Sequence, residues 1–274
     1  MDRRNFIKKT ALAAAGTALA APVSAVLTQA ESARLFENEA SPNASSGQTK
    51  SAEQAHEQAG LRQASTQLKV LMVNGSPRPD GNTFCCLKEI EKQLQKHGLE
   101  TEIVQIGRQP VRMCINCGGC HQNGGQGCVF DDDMCSEITQ KMASADALVV
   151  GTPVYYGQPN GGILSLMQRL FFSAGHLVQN KPAAAVAVCR RGGATATLQT
   201  MNMMFEMMNM PVVTSQYWNI AYGAGKGEAK LDTEGMQTMR TLGNNMAFLL
   251  QKIHANGNPA PTRDERPAFM NFIR

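Results

Sequence analysis

The chain has 274 residues, a formal net charge of +4, 8 cysteines, 16 methionines and a single tryptophan. Hydrophobic residues make up 43% of it and charged residues 18%, a composition that can bury a core and that excludes a disordered chain. Beyond the N-terminal segment no uncharged apolar run approaches the roughly 20 residues of a membrane-spanning helix, so we expect no integral membrane span once that segment is removed.

Residues 1–30 form the first predicted element, an export signal. Arg3 and Arg4 precede an uncharged, alanine-rich stretch from Ala11 to Leu27. The segment resembles a twin-arginine signal, with Asp2 in place of the usual Ser or Thr. It predicts a periplasmic or otherwise exported protein that uses the twin-arginine route; an uncleaved N-terminal anchor is the alternative.

The same segment carries most of the positive charge. It holds four basic residues and one acidic residue, a net charge of +3, which leaves +1 for the remainder. Because nucleic-acid binding depends on a concentration of basic residues, we expect no nucleic-acid partner.

Residues 68–256 predict one α/β domain between a flexible linker at 31–67 and an irregular tail at 257–274. Helices are predicted from a cap at Asn82 to Gly98, over Asp133–Ser144 and over Asp232–Ala255. The strand candidates are five short apolar runs: Val70–Val73, Thr101–Ile106, Ala147–Val150, Ala183–Val188 and Val212–Ser215. Continuously apolar strands separated by helices indicate a parallel sheet covered on both faces. Cofactors bind beyond the carboxyl ends of such strands, so the turns there are the candidate site.

The turn after the first strand, residues 75–83, predicts either a phosphate site or an ordinary Gly/Pro turn. Backbone N–H groups at the start of a helix are orphaned donors that suit a phosphate. Ser76, Asn82 and Thr83 add side-chain donors, and Arg78 adds a full charge. The residues alone leave the two interpretations about even.

Three segments together resemble the flavin loops of the flavodoxin-like NADPH-dependent FMN reductase family. They are Gly75-Ser76-Pro77-Arg78 with Gly81-Asn82-Thr83, then residues 151–157 after the third strand, and residues 189–194 after the fourth. The resemblance implies a flavodoxin-like five-stranded parallel sheet with helices on both faces, and an FMN-dependent oxidoreductase. It implies that FMN is bound by Ser76, Arg78, Gly81, Asn82, Thr83, Thr152, Pro153, Val154, Tyr155, Tyr156, Gly157 and Arg190.

The chain departs from that family in one helix. Many relatives have Lys and Asp-Arg in the helix after the tyrosine loop. Here Arg169 is kept, while Leu164 and Gln168 stand at the Lys and Asp positions. The roles of those two positions therefore do not carry over. Residues 216–219 match no family motif, and we assign them no role.

Cys114, Cys117, Cys120 and Cys128 have the spacing C-x2-C-x2-C-x7-C. Three thiolates so spaced can wrap one side of a [4Fe–4S] cluster, whereas zinc usually takes two ligands from each of two separate knuckles. Eight cysteines in an exported protein suggest disulfides, but twin-arginine export moves proteins that have folded in a reducing cytoplasm. Cluster, zinc, disulfides and free thiols all stay open.

The cysteine pattern resembles that of iron–sulfur flavoproteins. The resemblance implies that the four thiols ligate a [4Fe–4S] cluster near an FMN, often that of a neighbouring subunit, and hence a homo-oligomer. The predicted function is an exported FMN-dependent oxidoreductase that passes electrons to a small-molecule acceptor or a redox protein. The alternatives are an NAD(P)H-dependent FMN or quinone reductase without a cluster, and a non-catalytic flavodoxin-like electron carrier.

Overall fold

The structure is a computed structural model that describes residues 67–255 and residue 261. The predicted export signal, nearly all of the predicted linker and most of the predicted tail lie outside these residues. Among the helices that the structure describes, none combines the length and the hydrophobicity that crossing a membrane requires.

Strands and helices alternate along the described chain. The strands are β1 (Lys69–Asn74), β2 (Glu100–Gln105), β3 (Ala147–Tyr155), β4 (Gln158–Pro159), β5 (Ala183–Cys189) and β6 (Ile220–Tyr222). The α-helices are α1 (Asn82–Lys96), α2 (Gly119–Gln122), α3 (Cys135–Ser144), α4 (Gly161–Ala174), α5 (Ala194–Met207) and α6 (Thr233–His254). Short 3-10 turns cover Gly175–Leu177 and Glu228–Leu231.

The sheet has the parallel order β2-β1-β3-β5-β6, and the two-residue β4 pairs antiparallel with β3. Alternate residues of β3 enter two separate apolar clusters, one under α3, α4 and α5 and the other under α1 and α6. The predicted α/β fold is thereby confirmed, with β4 as an unpredicted sixth strand. The order reverses between β1 and β3, which is where a flavodoxin-like sheet binds its ligand.

The predicted fifth strand at Val212–Ser215 is wrong. Val212 makes only an isolated bridge to Ala183, and the edge strand proper is Ile220–Tyr222, paired with the carboxyl half of β5. Residues 214–219 lie between the two pairings. An edge strand pairs with one neighbouring strand only, so its apolar run predicts a strand less reliably than the run of a central strand.

Two predicted helix starts can be compared with the structure, those of α6 and α1. The last helix, predicted from Asp232, begins at Thr233, and Asp232 caps it, since its Oδ1 accepts a hydrogen bond from the Gly235 N–H at 2.9 Å. At α1 the prediction of an Asn82 cap is wrong. Gly81 is the residue before the helix, no side chain caps it, and Asn82 is its first helical residue.

Candidate functional site

Three loops follow the central strands at the carboxyl edge of the sheet. We call residues 75–83 the phosphate loop, residues 152–157 the tyrosine loop and residues 189–194 the third loop. They follow or end β1, β3 and β5, which are neighbours in the sheet. The segments predicted to bind FMN therefore meet at one edge.

Close backbone approaches join these loops. The Gly75 N–H donates to the Gly151 carbonyl at 2.7 Å, and a Cβ added to Gly75 would lie 2.7 Å from that oxygen. A Cβ on Gly193 would lie 2.7 Å from the Gly157 Cα. Because real Cβ atoms do not approach other atoms so closely, only glycine fits at Gly75 and Gly193 without a shift. The spacing of the three loops is thus set by backbone contact.

Asn74 organises the phosphate loop from below. This fully buried residue ends β1, and its Oδ1 accepts from the Ser76 N–H at 3.1 Å. Its amide donates to the side chain of Gln105, which in turn donates to the Ser76 carbonyl. The Ser76 hydroxyl accepts from the Arg78 N–H at 3.1 Å, and the Arg78 side chain is exposed. The loop is therefore held in one shape by its own polar groups.

The start of α1 offers unpartnered donors. No side chain caps it, and its first turn contains no acidic residue. The orphaned N–H groups and the positive end of the helix dipole favour an anion there. Gly81 is buried beside Arg78 at this point, and Thr83 is buried with its methyl group against Gly151.

Asn82 joins the phosphate loop to the loop that follows β6. Its amide donates to the Gly225 carbonyl at 2.9 Å and its Oδ1 accepts from the Ala229 N–H at 3.1 Å. An ion pair between Lys226 and Asp80 spans the same two loops. Both hydrogen-bonding atoms of the Asn82 amide thus serve the loop contact.

The tyrosine loop combines a buried support with two exposed rings. Thr152 is fully buried; its hydroxyl donates to the Pro153 carbonyl and accepts from the Asn160 N–H, both at 3.0 Å. Tyr155 and Tyr156 are exposed beyond it. Thr152 therefore supports the loop from inside, and the rings are available at the surface.

Tyr156 has an uncommon backbone conformation. Its φ is +52° and that of Gly157 is +76°, so the two form the turn between β3 and β4, in which Tyr155 pairs with Gln158. Positive φ at both central residues is typical of a type I′ hairpin turn, which favours Asn or Gly. A bulky residue with positive φ is an outlier, and such outliers concentrate at functional sites.

The remaining residues predicted to bind FMN are in the tyrosine loop and the third loop. Val154 is half-buried and would contact a Cβ on Gly193 at 3.1 Å, and Pro153 pairs with Val188 across the sheet. Arg190 is exposed at the head of the third loop. It follows Cys189, whose burial raises the pKa of its thiol.

The four predicted ligand cysteines line one cavity. Its volume is about 20 Å³, and its wall also includes Ile115, Gly118, Val129, Phe130, Arg169, Phe172 and Ser173. The loop that carries the cysteines, residues 107–134 between β2 and α3, we call the cysteine loop. All eight cysteines of the chain lie among the described residues and are free thiols.

The thiols of the cavity differ in exposure but lie near enough to interact. Cys114 and Cys117 are exposed, Cys128 is half-buried and Cys120 is buried. Burial raises the pKa of the Cys120 thiol, and the neighbouring Cys128, Cys114 and Cys117 raise it further. Neighbouring thiols that oppose each other's ionisation are well suited to a shared cation.

Left-handed residues shape the first part of the cysteine loop. Asn116 and Gly118, on either side of Cys117, have φ values of +51° and +70°. The short α2 then begins at Gly119 and carries Cys120. In the part of the chain that the structure describes, no three His, Cys, Asp or Glu side chains converge on a single metal ion.

Arg169 closes the inner wall of the cavity. It extends from α4, only 1% of it is exposed, and its Nε donates to the Cys128 sulfur at 3.3 Å. The guanidinium also donates to the Phe130 carbonyl at 2.9 Å, the Arg112 carbonyl at 3.3 Å and the Asp133 carboxylate. Burial lowers its pKa, but the bond to Cys128 and the nearby Cys135 and Asp133 outweigh burial and raise it.

Comparison with known protein families identifies the chain. The profile of the NADPH-dependent FMN reductase family matches residues 68–225. The chain belongs to this family. It is a flavin-dependent oxidoreductase, and FMN is the flavin of its family.

Curated relatives of this FMN reductase family member include iron–sulfur flavoproteins of two archaea. One from Methanocaldococcus jannaschii is 34% identical over 194 residues, which cover 68% of this chain and 99% of the relative. One from Methanosarcina thermophila is 33% identical over 195 residues, which cover 69% of this chain and 98% of the relative.

Solved structures agree on the fold of this family member. RosB with a bound riboflavin-phosphate intermediate has a TM-score of 0.53 at 17% identity, covering 76% of this chain and 92% of its own. The apo form of the NADH:FMN oxidoreductase EMOB has a TM-score of 0.50 at 12% identity, covering 67% and 90%. At such low identities the likeness concerns the fold alone.

The site also contains residues that the sequence did not single out as functional. Asn74 ends an apolar strand and Gln105 ends its neighbour, and their side chains meet only because β1 and β2 are paired in register. Asp133 lies two residues before α3, and its Oδ1 accepts from the Cys135 N–H at 3.0 Å. Its other oxygen bonds Arg169, a contact across 36 residues of sequence. In the sequence, the pattern that could have pointed to Asn74 is a polar residue at the end of an apolar run.

Proposed function

We propose that this FMN reductase family member is an exported FMN-dependent oxidoreductase that carries a [4Fe–4S] cluster on Cys114, Cys117, Cys120 and Cys128. It passes electrons to a small-molecule acceptor or to a redox protein. The observation that carries the proposal is the single cavity lined by all four thiols. The names of the archaeal relatives, iron–sulfur flavoproteins, support it.

The donor set of that cavity fits a cluster. Thiolates are the usual ligands of [4Fe–4S] clusters, and no Asp or Glu is among the described residues that line the wall. Arg169 is the charged residue there, and a cation suits a group that four thiolates make negative. When bound, the cluster would supply single electrons.

The carboxyl edge of the sheet fits FMN. The orphaned N–H groups of α1, with Ser76, Arg78, Gly81 and Thr83, would hold the phosphate. The isoalloxazine would lie at the rim formed by the tyrosine loop and Arg190, where the exposed rings can stack. Asn82 and Thr152 fix the loops from behind. When bound, FMN would supply the change between one- and two-electron steps.

Iron, sulfide and flavin assays with an anaerobic absorbance spectrum test the proposal. The protein is purified from its native host, and we expect flavin bands together with iron and acid-labile sulfide in equal amounts. Cys117→Ser removes an exposed candidate ligand and should lower the iron content. Cys85→Ser, a half-buried thiol on α1, is the matched control and should leave it unchanged.

Each alternative has its own result in these assays. Flavin without iron or sulfide would contradict the cluster and leave a plain FMN reductase. Zinc in place of iron would contradict it as well. Rapid turnover of a quinone would distinguish an enzyme from an electron carrier.

The export signal bears on the electron donor. NAD(P)H is cytoplasmic, so an exported protein would receive electrons from a quinol, a cytochrome or another redox protein. Cell fractionation of the wild type and of Arg3→Lys with Arg4→Lys tests the export. Retention of the wild type in the cytoplasm would contradict it and would favour NADPH, the donor in the family's description.

We also propose a homo-oligomer. Met113, Ile115, Val129 and Phe172 are exposed apolar side chains on or beside the cysteine loop, and clustered apolar surface is typical of contact sites. The native mass by light scattering tests this, and a monomer at micromolar concentration would contradict it.

A further inference from the structure

We propose that Arg169 is a positioning residue of the cysteine cavity, which orients Cys128 and stabilises negative charge on the group bound there. The inference rests on the proposed function, because it concerns a cluster held by the four cysteines. It also accounts for an arginine in the largely apolar inner face of α4, where Ile163, Leu166 and Leu170 are buried.

The contacts of the Arg169 guanidinium converge on the cysteine loop. It donates to the Cys128 sulfur, to the carbonyls of Phe130 and Arg112, and to the carboxylate of Asp133. All four acceptors lie within residues 112–133, whereas α4 packs in the main apolar cluster. A single side chain therefore ties the loop that carries the thiols to the core of the domain.

The tie leaves Cys128 little freedom. The planar guanidinium has five N–H donors in a fixed geometry, and at least three of its directions are used by loop acceptors. The sulfur that accepts the Nε–H is thus held relative to two carbonyls and a carboxylate. A lysine in this place keeps the charge but cannot reproduce the fork.

The charge of Arg169 is placed where a cluster would need it. The side chain is 1% exposed and that of Asp133 is 4% exposed, so water screens neither of them. A donor to a ligand sulfur stabilises the reduced form of a cluster more than the oxidised form, because the reduced form is more negative. Hydrogen bonds to the sulfurs are one of the factors that set cluster potentials.

The test compares three variants, each matured in the native host. Arg169→Lys keeps the charge without the fork. Arg169→Met with Asp133→Asn removes both buried charges together, so that no unpaired carboxylate is left to prevent folding. Arg240→Met, which removes an arginine paired with Glu89 on the far side of the sheet, is the matched control.

Three measurements are made on each variant: FMN content, the rate of iron loss to an iron(II) chelator, and the cluster midpoint potential by redox titration followed by electron paramagnetic resonance. We expect the double variant to keep FMN, to lose iron about 10-fold faster or more, as for other outer-shell partners of metal ligands, and to have a more negative potential. Arg169→Lys should fall between it and the wild type, and Arg240→Met should match the wild type.

Wild-type iron retention and potential in both Arg169 variants would overturn the inference while leaving the cluster proposal intact. Faster iron loss with an unchanged potential would overturn the part of the inference in which the Nε–H bond to Cys128 stabilises the reduced form. A wild-type protein without iron would overturn the cluster proposal itself, and the inference with it. The wild-type assay and the variant assays therefore separate the two failures.

Discussion

The phosphate, tyrosine and third loops at the carboxyl edge of the sheet, together the flavin edge, are held in place by other means than the cysteine loop. At the flavin edge, short loops continue directly from adjacent strands, and their backbones touch at Gly75 and Gly193. The cysteine loop is long and contains only the four-residue α2 among its described residues. Side chains, chiefly Arg169 and Asp133, tie it to the domain. The sheet therefore preforms the flavin edge, whereas the cysteine loop depends on polar contacts and on the group it would bind.

A substitution at Gly75 should break the flavin edge and produce the largest effect. In Gly75→Ala the new Cβ meets the Gly151 carbonyl at 2.7 Å and the Ile163 Cβ at 3.0 Å, both in a packed core. Overpacking of this kind costs about 1–3 kcal/mol. We expect that loss in the free energy of unfolding, measured in urea, together with weaker FMN binding.

Gly161→Ala is the control for this prediction. Gly161 begins α4 with no atom within 4 Å of its added Cβ, and alanine is the better helix former there. It should be neutral or slightly stabilising. If Gly75→Ala behaves in the same way, the flavin edge is less tightly preformed than the backbone contacts indicate.

The regions differ likewise in how well the sequence predicts them. The central strands at residues 70–73 and 183–188 are apolar on both faces, so composition alone identifies them. The prediction of a strand at Val212–Ser215 is wrong because the edge of the sheet is formed by two separate segments. Which of them becomes a strand depends on pairing with β5, and that pairing is not local in sequence. Asn82 failed as a cap because its amide finds partners in a loop more than 140 residues away.

Site residues follow the same rule. The sequence placed Ser76, Arg78 and the two tyrosines in turns after strands, where short motifs decide the outcome. It also suggested that Thr152 would contact FMN, although its hydroxyl is engaged inside the loop. The role of Arg169 could not be predicted, since its partners come from a loop whose path no local pattern defines.

Gly118 gives the corresponding test in the cysteine loop. Its φ is +70° and nothing lies within 4 Å of an added Cβ, so Gly118→Ala is limited by conformation and not by space. A left-handed alanine costs about 1–2 kcal/mol. We expect a smaller loss of stability than at Gly75, with reduced iron content and unchanged FMN binding.

Gly118→Asn separates conformation from other effects, because asparagine tolerates the left-handed region. It should retain more iron than Gly118→Ala. Equal iron losses in the two variants would contradict the conformational explanation, and weaker FMN binding in either would contradict the view that the two regions are held independently.

A substitution at Tyr156 should raise the stability of the apoprotein, whereas the glycine substitutions should lower stability. Tyr156→Asn places a residue that type I′ turns favour at φ +52°, so the apoprotein should gain roughly 0.5–1 kcal/mol. If the Tyr156 ring stacks on the flavin as proposed, its loss should weaken FMN binding about 2- to 10-fold. Urea unfolding of the apoprotein and fluorescence titration with FMN measure the two effects.

The control is Tyr217→Asn, which removes an exposed ring that packs on Trp218 outside the three flavin loops. It should alter neither the FMN affinity nor the turn. Should Tyr156→Asn leave the FMN affinity unchanged, the strained tyrosine does not contact the flavin.

The smallest effect on stability is expected at Glu102, which lies on β2. Lys69 of β1 and Lys141 of α3 both pair with its carboxylate. Hydrogen bonds from Lys141, and then from Lys69, hold the pKa of Glu102 below its usual 4.5. Folding therefore favours the ionised form, so its stabilisation is present above about pH 4.5 and is lost as the pH falls through the lowered value.

Glu102→Gln should lower the free energy of unfolding at pH 7 by a few tenths of a kcal/mol, since partly exposed pairs contribute little. It should also flatten the decline in stability between about pH 5 and pH 3. Urea unfolding across this range measures both. Glu137→Gln, whose exposed carboxylate lies 3.5 Å from Lys141, should decline as the wild type does. β2 leads directly into the cysteine loop. If Glu102→Gln leaves the decline of stability at acid pH unchanged, the ion pairs of this strand do not help to hold the loop, and Arg169 contributes more of that stabilisation.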